Sequence, residues 1–201
     1  MTRHPATRLL ALLLPAALLL VPSPAHAEKV VTHDAAGDAV VVGWLADEDA
    51  ELPPTPDPSP ADIVGTVAAH GERRLAVAVH FRDLAGVEEH STDILVRTPA
   101  GTFRLEVEKK EGRRARTTLT RDWETTDCRA LRARFDVGAD AVEVSVPTAC
   151  LSSPRWVRLG VKAFAPLPMT DPAVLASTVD DGHRGTVRLR STGLGPRIHR
   201  G

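Results

Sequence analysis

Apolar residues recur at every second position along most of this chain, in short runs separated by turn residues. The clearest stretch runs from Cys128 to Ala165. There Leu131, Ala133, Phe135 and Val137 alternate with Arg132, Arg134 and Asp136; Val142, Val144 and Val146 alternate with Glu143 and Ser145; and Val157, Leu159, Val161 and Ala163 repeat the pattern. A period of two with one apolar face is what a half-buried antiparallel sheet requires, because successive side chains point to opposite faces. The same pattern marks Leu75, Val77, Val79 and Phe81, and again Phe103, Leu105 and Val107, with Pro99-Ala100-Gly101 as a turn before the latter. Helical signals are confined to Asp171–Ser177, where Asp precedes Pro at a first turn. About nine short strands with turns every 8 to 12 residues predict an all-β fold, an antiparallel two-sheet β-sandwich of jelly-roll type.

The burial pattern also sets a register. If Cys128 faced Cys150 directly, Phe135 would oppose Glu143 and polar side chains would enter the core. Burial instead wants Phe135 opposite Val142 or Val144, because a one-residue slip reverses every side chain. A bulge or strand end at Pro147–Ala149 reconciles the two demands, since proline cannot donate to a ladder.

The first residues change the picture of what the mature chain is. A basic start, the thirteen-residue apolar run Leu9–Val21 interrupted by Pro15, and Ala25-His26-Ala27 read as a secretory signal peptide over residues 1–27. Thirteen residues are too few for a membrane span, so no span is expected once the leader is removed. The boundaries that follow are a sandwich domain at 28–165 and a prolyl, then basic, tail at 166–201 with one edge strand at Thr186–Arg190. In an oxidising compartment two cysteines are most simply one disulfide, Cys128–Cys150. Residues 45–61 hold five prolines and five acids in seventeen positions, a surface loop unsuited to a ladder.

Charge is divided along the chain. Residues 28–100 carry 14 acids and 5 bases, whereas residues 101–201 carry 12 acids and 18 bases. Either the second half builds an anion-binding face, or acidic and basic strands neighbour each other and cancel. The arginines sit singly on outward strand positions, which favours the second reading, and no nucleic acid is expected as a partner.

The order Asp34-Ala35-Ala36-Gly37-Asp38, then Pro60-Ala61-Asp62-Ile63, then the alternating hairpin ending at Phe81 resembles the entry of DOMON-like and CBM9-like sandwiches. That resemblance implies a Ca²⁺ held by Asp34, Asp38 and Asp62. The residues alone also allow Asp34 and Asp38 to make Asx turns with their own backbone. A haem-binding version would need an axial Met, and only Met169 is at hand beyond the leader.

Exposed rings are what a sugar-binding sandwich needs, and the chain has no Tyr, three Trp and four Phe. Phe81, Phe103 and Phe135 fall on inward positions, leaving Trp44, Trp123, Trp156 and Phe164. Trp156 and Phe164 share one parity of a single strand and are read as a ligand-binding face, with sandwich-edge cover for Trp156 and contact with the C-terminal tail for Phe164 as the alternative. His80, outward beside Arg82 and expected to face the Arg104/Glu106 strand, completes the candidate ligand set. No catalytic elbow, metalloprotease helix or phosphate loop is present. The expectation is a secreted, extracellular, non-enzymatic binding or accessory module for a glycan or cell-wall polymer, with a structural or protein-interaction domain of charge-divided surface as the alternative.

Overall fold

The alternation decides the architecture: each apolar row must be covered, and two sheets cover one another. The structure, a computed structural model, describes residues 27–43, 46–47, 51–55, 58–167 and 176–201. The signal-peptide run, Trp44, Met169 and residues 171–175 of the expected helical turn lie outside the described residues. Thirteen strands are described: β1 (Glu28–His33), β2 (Val40–Gly43), β3 (Ile63–His70), β4 (Arg74–Phe81), β5 (His90–Thr98), β6 (Gly101–Lys109), β7 (Arg116–Arg121), β8 (Glu124–Thr125), β9 (Arg132–Asp136), β10 (Ala141–Pro147), β11 (Trp156–Pro166), β12 (Ala176–Asp181) and β13 (Arg197–His199). The smaller sheet runs β1-β3-β4-β10-β9, and the larger β2-β12-β11-β5-β6-β7-β8, with β13 also pairing β11. Every strand pairing is antiparallel.

The core lies between the inward rows. Leu75, Val77, Val79, Phe81, Val142, Val144 and Val146 of the smaller sheet meet Ile94, Val96, Phe103, Leu105, Val107, Val157, Leu159 and Val161 of the larger. Full burial of each such side chain contributes about 1.5–3 kcal/mol of transfer free energy. His90 bridges the layers edge-on to Phe81 and Phe135, with ring centroids 4.9 and 5.3 Å away, and its Nε2 lies 3.2 Å from the Pro60 carbonyl. Burial pushes its pKa down to about 4, so it is neutral at physiological pH.

The hairpin register is the one that burial demands. Phe135 opposes Val142 and Ala133 opposes Val144. β10 ends at Pro147, and Cys150 sits in the following 3-10 turn, Thr148–Leu151. Cys128 and Cys150 form the disulfide, with Cα atoms 5.9 Å apart.

Thirteen strands are four more than the expected nine; β8, β12 and β13 fall where loop or tail was expected, and β12 takes in Ala176 and Ser177 from the end of the expected helical turn. Residues beyond 165 are therefore not a simple tail: β12 and β13 both pair with β11. The edge strand expected at Thr186–Arg190 reduces to an isolated bridge between Arg188 and Ser191. The proline-rich loop also makes more sheet-like contact than its composition predicts. Pro53 accepts from the Val41 N–H at 2.8 Å, and Pro54 bridges Val40. Proline lacks the donor but keeps the carbonyl, so at an edge it can still receive a ladder bond.

Candidate functional site

The chain crosses from the smaller sheet to the larger between β1 and β2, through Asp34-Ala35-Ala36-Gly37-Asp38. Gly37 has φ +85°, a left-handed turn position that favours glycine. The turn brings Asp34 and Asp38 against Asp180 of β12, with one carboxylate oxygen from each lying within 4.8 Å of the others. Asp180 is 1% exposed; its Oδ2 accepts from the Ile63 N–H at 2.8 Å and its Oδ1 from the Asp181 N–H at 2.7 Å. Asp180 on the larger sheet thus holds the first residue of β3 on the smaller one.

Three carboxylates this close cannot all carry charge in a dry setting. Burial, then the neighbouring Asp38, pushes Asp34 up to about 7. Burial pushes Asp180 up to about 8, and raises Asp38 as well. The cluster holds either protons or a cation. Asp34 Oδ2 and Asp38 Oδ1 are buried and have no hydrogen-bond partner among the described residues, so two acceptors of the cluster are left without a donor there. An all-oxygen donor set fits a hard cation, and Ca²⁺ takes six to eight such oxygens. Asp34, Asp38 and Asp180 are the residues that would hold it.

Asp62, the third residue expected in that set, stands beside it. Its Oδ2 accepts from the Gly37 N–H at 2.8 Å and lies 3.6 Å from Arg82 Nη1. Asp62 therefore shapes the turn, and its charge raises the pKa of both Asp34 and Asp38. Asp180 was missed because nothing local marks it. Its Val-Asp-Asp-Gly setting reads as a strand end, and only the fold carries β12 to this edge.

The four expected ligand residues do not converge. His80 lies on β4 opposite Gly65 and Ala141, within the smaller sheet. The Arg104/Glu106 strand expected to face it is β6 of the larger sheet, because β4 pairs with β10 instead. Arg82 belongs to the Asp62 turn. Trp156 sits opposite His199, with the Arg197 guanidinium 4.6 Å from its ring centroid. Phe164 is eight residues further on, about 27 Å along an extended strand.

Phe164 does line a groove of about 530 Å³ on the outer face of the larger sheet. Arg97, Arg104 and Trp123 line it too, and Trp123 is 88% exposed. Trp123 was among the exposed-ring candidates, but its two-residue turn gave no strand parity by which to rank it. A second, shallower groove of about 350 Å³ lies on the outer face of the smaller sheet, floored by Ala69, Ala76 and Ala78 between Arg132, Arg134 and Glu143. No family model, curated protein or solved structure matches this chain.

Proposed function

We propose that this protein is an exported, non-catalytic binding module for an extracellular glycan or cell-wall polymer, with a Ca²⁺ at Asp34, Asp38 and Asp180 fastening its two sheets. The observation that carries the reading is the groove beside Trp123. A large apolar ring left in water beside a concave, partly polar surface is what stacking on a sugar face requires. Export agrees with the leader-like residues 1–27 and with a disulfide, which persists in oxidising compartments. The cation has a structural part in this reading, since the cluster sits at the sheet crossing and is not part of the groove.

The exported protein should be retained by insoluble cell-wall material or by an immobilised polysaccharide, and Ca²⁺ should affect its stability more than its retention. Passage through every polysaccharide tested, with Ca²⁺ or with EDTA, would remove the reading. The alternative, a protein-interaction domain, draws on the alanine-floored groove of the smaller sheet, where exposed Val31 adds apolar surface at the β1 edge.

A further inference from the structure

We infer that the groove on the larger sheet takes an acidic glycan, with Trp123 stacking on a sugar ring and Arg97 and Arg104 meeting the carboxylate or phosphate that the sugar carries. The inference rests on the binding-module reading above and gives it a ligand class.

Trp123 occupies a position that folding alone does not explain. Arg121 pairs with Glu124, so β7 and β8 are joined by Asp122 and Trp123 alone. Both are left-handed, at φ +50° and +69°. Such a two-residue hairpin favours Asn-Gly, and a bulky residue there is strained. The ring offsets none of this by burial, since it is 88% exposed. A strained position holding an exposed aromatic at the lip of a groove points to a ligand.

The opposite wall is built to stay in place. Residues 192–194 cross the sheet over Gly160, where a Cβ would come within 2.5 Å of the Gly193 carbonyl. Arg158 donates to the Gly195 and Leu194 carbonyls at 2.8 and 3.0 Å, and Asp181 Oδ2 accepts from the Gly193 N–H at 2.8 Å. Buried Lys162 donates to the Leu189 carbonyl at 3.3 Å and to that of Arg188. A wall held at several points needs little ordering when a ligand arrives.

The charge of the groove has one sign in excess. Its lining holds Arg97, Arg104, Lys162 and Arg190 against Asp93 and Asp122. Asp93 is bonded to Arg104, and Asp122 lies 3.5 Å from Arg121 outside the groove. Arg97 enters no salt bridge among the described residues and is exposed two positions along β5 from Leu95, another lining residue. Guanidinium groups match carboxylate and phosphate in a two-pronged geometry. One largely exposed ring beside a short groove, on a chain of formal net charge −1, suits one or two sugar residues better than a long polyanion such as nucleic acid.

The test is native gel electrophoresis of the exported chain through gels containing polygalacturonate, a poly(glycerol phosphate) teichoic acid or neutral arabinoxylan, with single-stranded DNA as competitor. At least one acidic polymer should retard the wild type, less so at high salt; which one does so identifies carboxylate or phosphate. Arg97→Ala and Trp123→Gly should each weaken retardation about tenfold or more. Trp123→Gly should leave Tm unchanged or raise it, because glycine relieves the turn. Retardation by arabinoxylan equal to that by the acidic polymers and unaffected by Arg97→Ala would overturn the acidic ligand while leaving the binding module standing. Retardation indifferent to both substitutions would place the site elsewhere, and full competition by DNA would make the groove a general polyanion site. No retardation in any gel would remove this inference and the module reading together. If Trp123→Gly lowers Tm as well as binding, the Arg97→Ala result alone decides.

Discussion

Three of the passages that take the chain between its sheets are fastened at two joints, by opposite chemistry. The first lies between β1 and β2, where Asp34 and Asp38 meet Asp180. The second is double: Cys128 lies on the passage from β8 of the larger sheet to β9 of the smaller, and Cys150 on the return from β10 to β11. A covalent bond ties those two passages to each other irrespective of protons and ions. The acidic joint brings together carboxylates whose charge burial disfavours. The covalent joint is constant across conditions, whereas the acidic one, under the reading proposed above, couples stability to pH and to cations.

The largest effect should come from the covalent joint. Cys128→Ser with Cys150→Ser should destabilise by about 3 kcal/mol, because the bond closes a loop with a sequence separation of 22. Denaturant unfolding checks it, and the loss should be the same with Ca²⁺ or EDTA and at pH 6.5 or 8. A loss that depends on Ca²⁺ would show that the joints are coupled.

At the acidic joint, millimolar Ca²⁺ should stabilise by about 1–3 kcal/mol, raising Tm by roughly 3–8 °C by mass action on the folded state. Asp180→Asn should abolish that response, since it removes a charged ligand while keeping an acceptor for the Ile63 N–H. Asp62→Asn should reduce the response without abolishing it, because Asp62 supports the Gly37 turn from beside the cluster. An unchanged Tm across Ca²⁺ and EDTA would remove the cation from the joint.

A smaller effect separates the joints by pH. Asp34 and Asp180 hold their protons up to about 7 and about 8 in the folded chain, far above the ordinary value of 3.8. A raised carboxyl pKa contributes stability that is complete below the unfolded value and is lost as pH climbs through the folded one. In EDTA, Tm should therefore fall as pH rises toward 8; between about pH 7 and 8, above the ordinary histidine value of 6.5, His90, depressed to about 4 in the folded chain, is mostly neutral whether folded or unfolded and adds little slope. Thermal melts at half-unit steps check this. Asp180→Asn should flatten the fall, and Ca²⁺ should shift it, since the cation replaces the protons.

Much of the smaller sheet was legible. Phe135, Val142 and Val144 announce their parity because a one-residue slip would turn one row away from the core, the structure then choosing Val142 rather than Val144 opposite Phe135, and Pro147 announces where the pairing stops. The disulfide followed from the count of two cysteines and the expectation of export. The acidic joint was half legible: Asp34 and Asp38 are neighbours in sequence, so their turn reads directly, whereas Asp180 arrives from the far end of the chain. His80 and Trp156 were selected by parity, which gives the face of a strand but not the sheet that the face belongs to.

That difference marks what each level determines in this protein. The alternation fixes strand identity, inward rows and local register, because a side chain's direction depends only on its own backbone and its nearest partner. The order of strands within a sheet depends on which distant rows bury most surface together, a sum over the whole chain that no window contains. So it was the tertiary structure that placed β12 beside β2 and carried Asp180 to the joint. It laid residues 192–194 over Gly160, and it set Trp123 at the lip of a cationic groove. The sequence supplied the charged and aromatic side chains, and packing decided which of them share water and which share a site.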